Sequence, residues 1–425
     1  MRSVRPQLLR PIAGCLAAGL ALLGLSCIAP VRAGALASTH RYAVLLDAGV
    51  EVLPEAKWLS EKHGFAVRHV YQHALHGLAA DLTPAQAEDL RAEPHVSAVT
   101  QDGLVAVPSF RSADPLAGPG LLQAGRQPKQ TTPTSIARSG AARSRTAAIN
   151  GRDEPFPVDV AVIDTGIDST HPDLNVVGGV SLLGGTPDDA NDHGTNIAGV
   201  IGARDNRIGV VGVAPGARLW SVRVLDASGF GAYTDIAAGV DWVTARAATI
   251  RVANISLVGE VTGSDILRTA ISGCGAAGVT IVAAAGNSAQ DCVTLAPAGF
   301  DTVITVSALA DSNGKAGRSA GRFRVGGLTD IDETFAVFSN FGSPVDIIAP
   351  GAQVFSCIRG GRYGAFNGTS QAAAHVTGAA ALILRNNPNA SPAQVRAALL
   401  GAAVRFGPPD DPDGTHEPAL ECSRL

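Results

Sequence analysis

The chain has 425 residues, 46% of them hydrophobic and 16% charged, enough apolar material for one large domain with extras or for two to three ordinary ones. A formal net charge of −4 gives no electrostatic footing for a nucleic-acid or strongly anionic partner. With 4% aromatic residues and 49 glycines, the interior must be built from Ala, Val, Ile and Leu around tight turns, which suits an α/β protein better than an all-β sandwich.

Residues 1–33 read as an export signal. Arg2, Arg5 and Arg10 supply a positive start, and Cys15 to Ala29 is apolar but short of a spanning helix. Val31-Arg-Ala33 then resembles a cleavage site, so the product is expected outside the cytoplasm, secreted or in the cell envelope. A lipoprotein anchor at Cys27 is the second choice, because Gly24-Leu-Ser-Cys27 lacks the apolar residue wanted three positions earlier. No later segment reaches spanning length without polar interruption.

Residues 34–107 form a first unit. His40 to Leu46 is strand-like, Pro54 to His63 helical, and Phe65 to Tyr71 alternates as a half-buried strand. Gly77 to Leu82 is a short strand. Thr83-Pro84 opens a helix through Arg91, with Thr as cap and Pro at the first helical position. Val96 to Val107 returns as strand, completing a small split βαβ sandwich. Residues 108–129 are rich in Pro, Gly, Ala, Ser and Arg without apolar period, a linker open to proteolysis.

From residue 130 to 425 the pattern is α/β. Apolar strands at Val158–Ile163, Leu219–Leu225, Val252–Ser256, Val279–Ala284, Val303–Ala308 and Val345–Ala349 alternate with helices at Thr234–Ala247 and Asp265–Ala277. A helix opens at Ser370, and another, capped by Ser391-Pro392, runs through Leu400. Such alternation implies a mostly parallel sheet covered on both faces, with function at the carboxyl ends of its strands.

Chemistry collects at those ends. The first strand finishes in Asp164, His193 opens a small-residue helix, Asn287 follows a buried strand, and Ser370 follows the glycine-bearing turn Asn367-Gly-Thr. Alone, each has an ordinary structural reading: an Asx turn for Asp164, a packed histidine, an N-cap serine. Together they are the parts of acyl transfer: a hydroxyl nucleophile, an imidazole to take its proton, a carboxylate to orient the imidazole, and an amide donor for the oxyanion.

The segments Val162-Ile-Asp-Thr-Gly-Ile-Asp-Ser-Thr-His-Pro-Asp-Leu174, His193-Gly-Thr, Ala284-Ala-Gly-Asn287 and Gly368-Thr-Ser-Gln-Ala372 resemble, in order and spacing, the motifs of the subtilisin-like serine proteases, the subtilases. The resemblance covers roughly residues 130–405, and residues 40–107 are similar to the family's inhibitor-type propeptide. It implies a three-layer subtilisin-like fold preceded by an α+β propeptide. It also implies Asp164 as orienting acid, His193 as general base, Ser370 as nucleophile and Asn287 as oxyanion donor. Gly229, Phe230 and Gly231, with Ser256, Leu257 and Val258, would flank a protein or peptide substrate bound as an added strand. Ala284, Ala285 and Gly286 would form one wall of the pocket before the cut.

The resemblance further implies a structural Ca²⁺ held by Gln130, Asp173 and Asn206 side chains and by the carbonyls of Arg204, Ile208 and Val210, with no catalytic cofactor. The propeptide would act as intramolecular chaperone and inhibitor, docking on two helices. Its removal is expected within 108–129, toward the late end near Gln130, and the protein is expected to be a monomer. The chain departs from the family at Gln371, Ala374 and Asn196, and at Val258, whose branched side chain should narrow the pocket. A non-catalytic binding or chaperone module of the same fold is the alternative. A nucleotide-binding protein would need a Gly-x-Gly-x-x-Gly turn that Asp164-Thr-Gly-Ile-Asp168 is not. Cys274, Cys292, Cys357 and Cys422 leave disulfides open, with Cys274–Cys292 the least favoured pair.

Overall fold

The computed structural model describes residues 38–108, 127–405 and 410–425. The expected signal segment with Cys27, and all but the ends of the linker, lie outside the described residues.

In the N-terminal unit four antiparallel strands run in the order Val67–Tyr71, Gly77–Leu82, His40–Leu46, Val96–Gln101. Helices Val52–His63 and Pro84–Arg91 cover one face. The second helix starts as its sequence requires: Thr83 Oγ1 accepts from Gln86 N at 3.2 Å and Gln86 Oε1 accepts from Thr83 N at 2.9 Å. Strand alternation then divides the side chains. Tyr42, Val44 and Leu78 pack on the unit's own helices, while Ala43, Ala79, Tyr71 and Leu75 join a core shared with the larger body.

The expected strand Val96–Val107 is broken at Asp102–Gly103. The Asp102 carboxylate accepts from Thr234 Oγ1 at 2.5 Å and Thr234 N at 3.3 Å, capping the start of the helix Tyr233–Thr244, and Gly103 O accepts from Tyr233 N at 3.2 Å. Beyond this kink, Leu104–Ala106 enters a different sheet. A polar anchor to Thr234, 132 residues along the chain, overrides the local strand pattern.

The body is built on a sheet ordered Val176–Ser181, Ala217–Arg223, Phe156–Asp164, Ile250–Ile255, Thr280–Ala284, Ile304–Ala310, Val345–Pro350, all parallel, with the short Thr334–Phe335 antiparallel to Ile304–Ala310. Val160 and Val162 face the layer containing helices His193–Gly202 and Thr369–Asn386, and Ala161 and Ile163 face helices Tyr233–Thr244 and Asp265–Ala276. Both faces are covered, so the strands read as continuous apolar runs rather than alternating ones. The sequence pattern missed Val176–Ser181, rich in glycine, and the hairpins Arg322–Ile331 and Val354–Phe366. Helix Pro392–Ala402 packs behind the Thr369–Asn386 helix.

Among the described residues, Cys274, Cys292, Cys357 and Cys422 are buried free thiols, so none of the bridges among these four that the sequence left open is formed. Burial pushes Cys274 up to about 11 and Cys292 up to about 12, which makes both poor nucleophiles. No helix of the described residues is long and apolar enough to cross a membrane.

Candidate active site

The strand Phe156–Asp164 delivers Asp164, fully buried, to the carboxyl end of the sheet. Its carboxylate accepts from Thr165 N at 2.7 Å and lies 2.8 and 3.0 Å from His193 Nδ1. That pair satisfies a carboxylate whose burial would otherwise be costly. Close approach of the two elements depends on glycine: a Cβ on Gly194 would come within 2.1 Å of Gly166 O, and Gly166 itself has φ +108°. Burial opposes a charge on His193, but the Asp164 charge, its hydrogen bond and the Asp189 charge together hold the imidazole above its ordinary value.

Asp189 was not singled out in the sequence, yet it organises the histidine turn. Its Oδ1 accepts from Thr165 Oγ1 at 2.8 Å and Asn191 N at 2.8 Å, and its Oδ2 accepts from Thr195 Oγ1 at 2.6 Å and Thr195 N at 3.0 Å. No local pattern marks it. An aspartate in a Pro-Asp-Asp-Ala loop looks like any turn residue.

Ser370 lies in the first turn of the helix Thr369–Asn386, whose N-cap is Gly368, so it is not a capping serine. Ser370 is 1% exposed, and its Oγ lies 3.5 Å from Ser256 O. Ser256 Oγ donates to Ser370 O at 3.1 Å, tying the serine helix to the strand beside it. Asn287 Oδ1 accepts from Thr369 N and Thr369 Oγ1, each at 2.9 Å, and this leaves Asn287 Nδ2 free to point into the cleft. Thr369, overlooked in the motif Gly368-Thr-Ser, is therefore what orients Asn287.

Two of the departures meet. Gln371 Nε2 donates to Asn196 Oδ1 at 3.1 Å in a fully buried contact between the serine and histidine helices. Read along the chain they are separate oddities, but in space they are one amide pair.

Into the cleft runs the end of the N-terminal unit. Leu104–Ala106 forms an antiparallel strand between Phe230–Ala232 and Val258–Glu260, with Leu104 opposite Ala232, Val105 opposite Gly231 and Gly259, and Ala106 opposite Phe230 and Val258. Gly229 O then accepts from Val107 N at 2.9 Å. Asn287 Nδ2 donates to Pro108 O at 2.7 Å. Val107, Pro108, His193 and Ser370 line one cavity of about 130 Å³. Of the expected substrate-flanking residues, Gly229, Phe230, Gly231 and Val258 touch this strand. Ser256 and Leu257 are buried behind it, with Ser256 bonded to the serine helix instead. Ala284 ends the strand Thr280–Ala284, and Ala285 and Gly286 follow it toward Asn287, with Gly286 N donating to Thr369 Oγ1 at 2.9 Å.

The six residues expected at the cation site gather around one loop. Bridges Lys129 to Ile208 and Thr131 to Val210 bring Gln130 beside it. Asp173 Oδ2 accepts from Val210 N at 3.0 Å, while its Oδ1 is buried with no hydrogen-bond partner. Burial pushes Asp173 up to about 7. Gln130 Oε1 accepts from Arg207 N at 2.7 Å, and Asn206 Oδ1 from Ile208 N at 3.0 Å. Arg204 is held by its backbone, its N donating to Asp173 O at 2.9 Å. An orphaned carboxylate oxygen among amides and carbonyls fits a hard cation.

The Subtilase family model matches residues 157–419, and the Peptidase inhibitor I9 model matches residues 36–107. An alkaline protease of Alkalihalobacillus alcalophilus is 35% identical over 361 residues, covering 84% of this chain and 82% of that protein. Subtilisin E of Bacillus subtilis (strain 168) is 34% identical over 384 residues, covering 88% of each. A crystal structure of a cold adapted subtilisin-like serine proteinase aligns with a TM-score of 0.54 at 34% identity, over 64% of this chain and 91% of that one.

Proposed function

Because this chain belongs to the subtilase family of serine peptidases, we propose that it is an exported endopeptidase acting through an acyl-enzyme on Ser370, made as a precursor blocked by its own residues 34–107. The observation that carries the reading is the 2.7 Å bond from Asn287 Nδ2 to Pro108 O, in a cavity lined by both His193 and Ser370. An amide donor on the carbonyl of an extended peptide, beside a hydroxyl and an imidazole, is the arrangement acyl transfer requires. His193 takes the Ser370 proton as Oγ attacks and returns it to the leaving amine; Asp164 fixes the Nδ1–H tautomer and favours the imidazolium. Asn287 and the Ser370 backbone N–H at the helix start stabilise the oxyanion. The test is covalent labelling by a fluorophosphonate: labelled Ser370 supports the reading, and a mature protein that stays unlabelled would overturn it.

The same bond supports a first cut at the early end of the linker. With Leu104–Ala106 held as a strand and Val107 N bonded to Gly229 O, the carbonyl offered to the nucleophile is that of Pro108, so self-cleavage falls between Pro108 and Ser109. Trimming toward Gln130, where the chain rejoins the body through the Lys129 and Thr131 bridges, follows as a second event. Val258 lies opposite Ala106, and a proline occupies the position before the cut. Substrates with small or aliphatic residues there should be preferred; a peptide-library profile dominated by Phe or Tyr would contradict this.

Docking of the precursor segment leans on Asp241, which accepts from His73 N and Ala74 N at 2.7 Å and from Gln72 N at 3.2 Å. Asp241→Ala leaves these amides unpaired at a buried interface, at ~1–3 kcal/mol each before relaxation. Processing should slow, and the cleaved segment should leave its enzyme at least about 30-fold faster, using roughly 2 kcal/mol at 1.4 kcal/mol per tenfold. Release kinetics after the first cut give the check.

Ca²⁺ at Asp173, Gln130, Asn206 and the carbonyls of Arg204, Ile208 and Val210 would supply the charge that the buried Asp173 carboxylate lacks. Chelation should lower the melting temperature by at least about 2–4 °C, and Asp173→Asn should bind one Ca²⁺ fewer and reduce that sensitivity. A melting curve unmoved by chelator would exclude a stabilising cation here.

A further inference from the structure

The C-terminal tail holds a second group of carboxylates, away from the cleft and from Asp173. Oxygen atoms of Asp411, Asp413 and Glu417 all lie within 4.8 Å of one another. Glu417 is only 5% exposed, yet both its oxygens are buried without a hydrogen-bond partner. The tail's ion pairs among the described residues bypass the group: Arg318 approaches Asp410 at 3.8 Å and Arg143 approaches Glu421 at 3.1 Å. A buried carboxylate facing two others, with no cation and no donor of its own, is strongly unfavourable. Burial, the Asp411 carboxyl and the Asp413 charge push Glu417 up to about 8.

We propose that Asp411, Asp413 and Glu417 form a Ca²⁺ site that clasps the C-terminal tail to the body. The donors are all oxygen, as a hard cation requires, and oxygens sharing one Ca²⁺ at 2.3–2.6 Å lie within about 5 Å of one another. The loop is already folded around the position. Asp411 Oδ2 accepts from His416 N at 3.1 Å, Asp411 O from Gly414 N at 3.2 Å, and Asp413 Oδ1 from Thr415 N at 2.8 Å. Asp413, on the exposed side, leaves room for water to complete the coordination. Directly after the site, Pro418–Leu420 is stitched to the sheet: Ile348 N donates to Pro418 O at 3.0 Å, and Leu420 N to Ile348 O at 2.9 Å. Ala419 also exchanges two 2.9 Å bonds with Val404. A cation at the three carboxylates therefore locks a segment that crosses from the last helix back onto the sheet.

The test uses the full chain carrying Ser370→Ala, with Ca²⁺ titrated calorimetrically and melting followed in EDTA and in Ca²⁺, so activity is not the readout. Glu417→Gln should bind one Ca²⁺ fewer and lose at least about 2 °C of the Ca²⁺-dependent rise in melting temperature. In EDTA the same variant should melt at or near its parent, because an amide of the same shape replaces a buried carboxyl that has no hydrogen-bond partner. That equivalent should persist in Asp173→Asn, which addresses the other site. Unchanged Ca²⁺ stoichiometry in Glu417→Gln overturns the proposal, and so does equal destabilisation in EDTA and Ca²⁺, which would mark a packing role alone. Should Glu417→Gln fail to fold, Asp413→Asn at the exposed corner is read by the same criteria.

Discussion

Ser370→Ala is expected to leave the chain at precursor length and to remove peptide hydrolysis by a factor on the order of 10⁶, a size carried over from subtilisin, a relative of this chain. The reason is local. Ser370 Oγ sits in the cavity that also receives Pro108 and the His193 ring, and no other hydroxyl or thiol lines it among the described residues. The described cysteines, Cys274, Cys292, Cys357 and Cys422, cannot substitute, since all four are buried. Mass spectrometry of wild type and variant decides the matter: wild type should lose the segment ending at Pro108, and the variant should keep it. A variant that is still cut after Pro108 in purified form would refute self-processing by Ser370.

Asn287→Ala should lower kcat about 10²–10³-fold, again a magnitude taken from subtilisin, with a smaller change in KM. Here the geometry adds an expectation. Asn287 is held by Thr369 through Oδ1, so Thr369→Val should reproduce part of the loss by letting the amide turn, without removing the donor. The Nδ2 bond to Pro108 O already exists in the uncleaved chain, so some of its energy is spent on binding. Pre-steady-state measurement of acylation separates the two contributions. If Asn287→Ala raised KM and left kcat intact, the side chain would be a binding contact and not a stabiliser of the oxyanion.

The departures from the family pattern change meaning in three dimensions. Asn196 and Gln371 form a buried amide-to-amide bond joining the helices that carry His193 and Ser370. Replacing either alone strands a polar group in the core. One reason the sequence could not reveal this is separation: the partners are 175 residues apart, and neither position has a local signature of its partner.

Local pattern determined a great deal. Apolar runs of strand length, helix caps such as Thr83-Pro84 and Ser391-Pro392, and acid, imidazole, amide and hydroxyl at the ends of elements were all legible, because helix and strand periods are written residue by residue. They yielded the α/β architecture and the chemical types at its active edge. Tertiary structure alone decided what depends on pairing across the chain. It set the 2.8 Å contact of Asp164 with His193, the break at Asp102 that turns Leu104–Ala106 into the cleft, and the choice of Pro108 as the carbonyl offered to Asn287. It also made one cluster of Asp411, Asp413 and Glu417, which in sequence is only an acidic tail. Hydrogen bonds and charge coupling reach only a few ångströms, and their strength rests on burial. Neither distance nor burial between remote residues is encoded locally, so these contacts emerge only when the chain is folded.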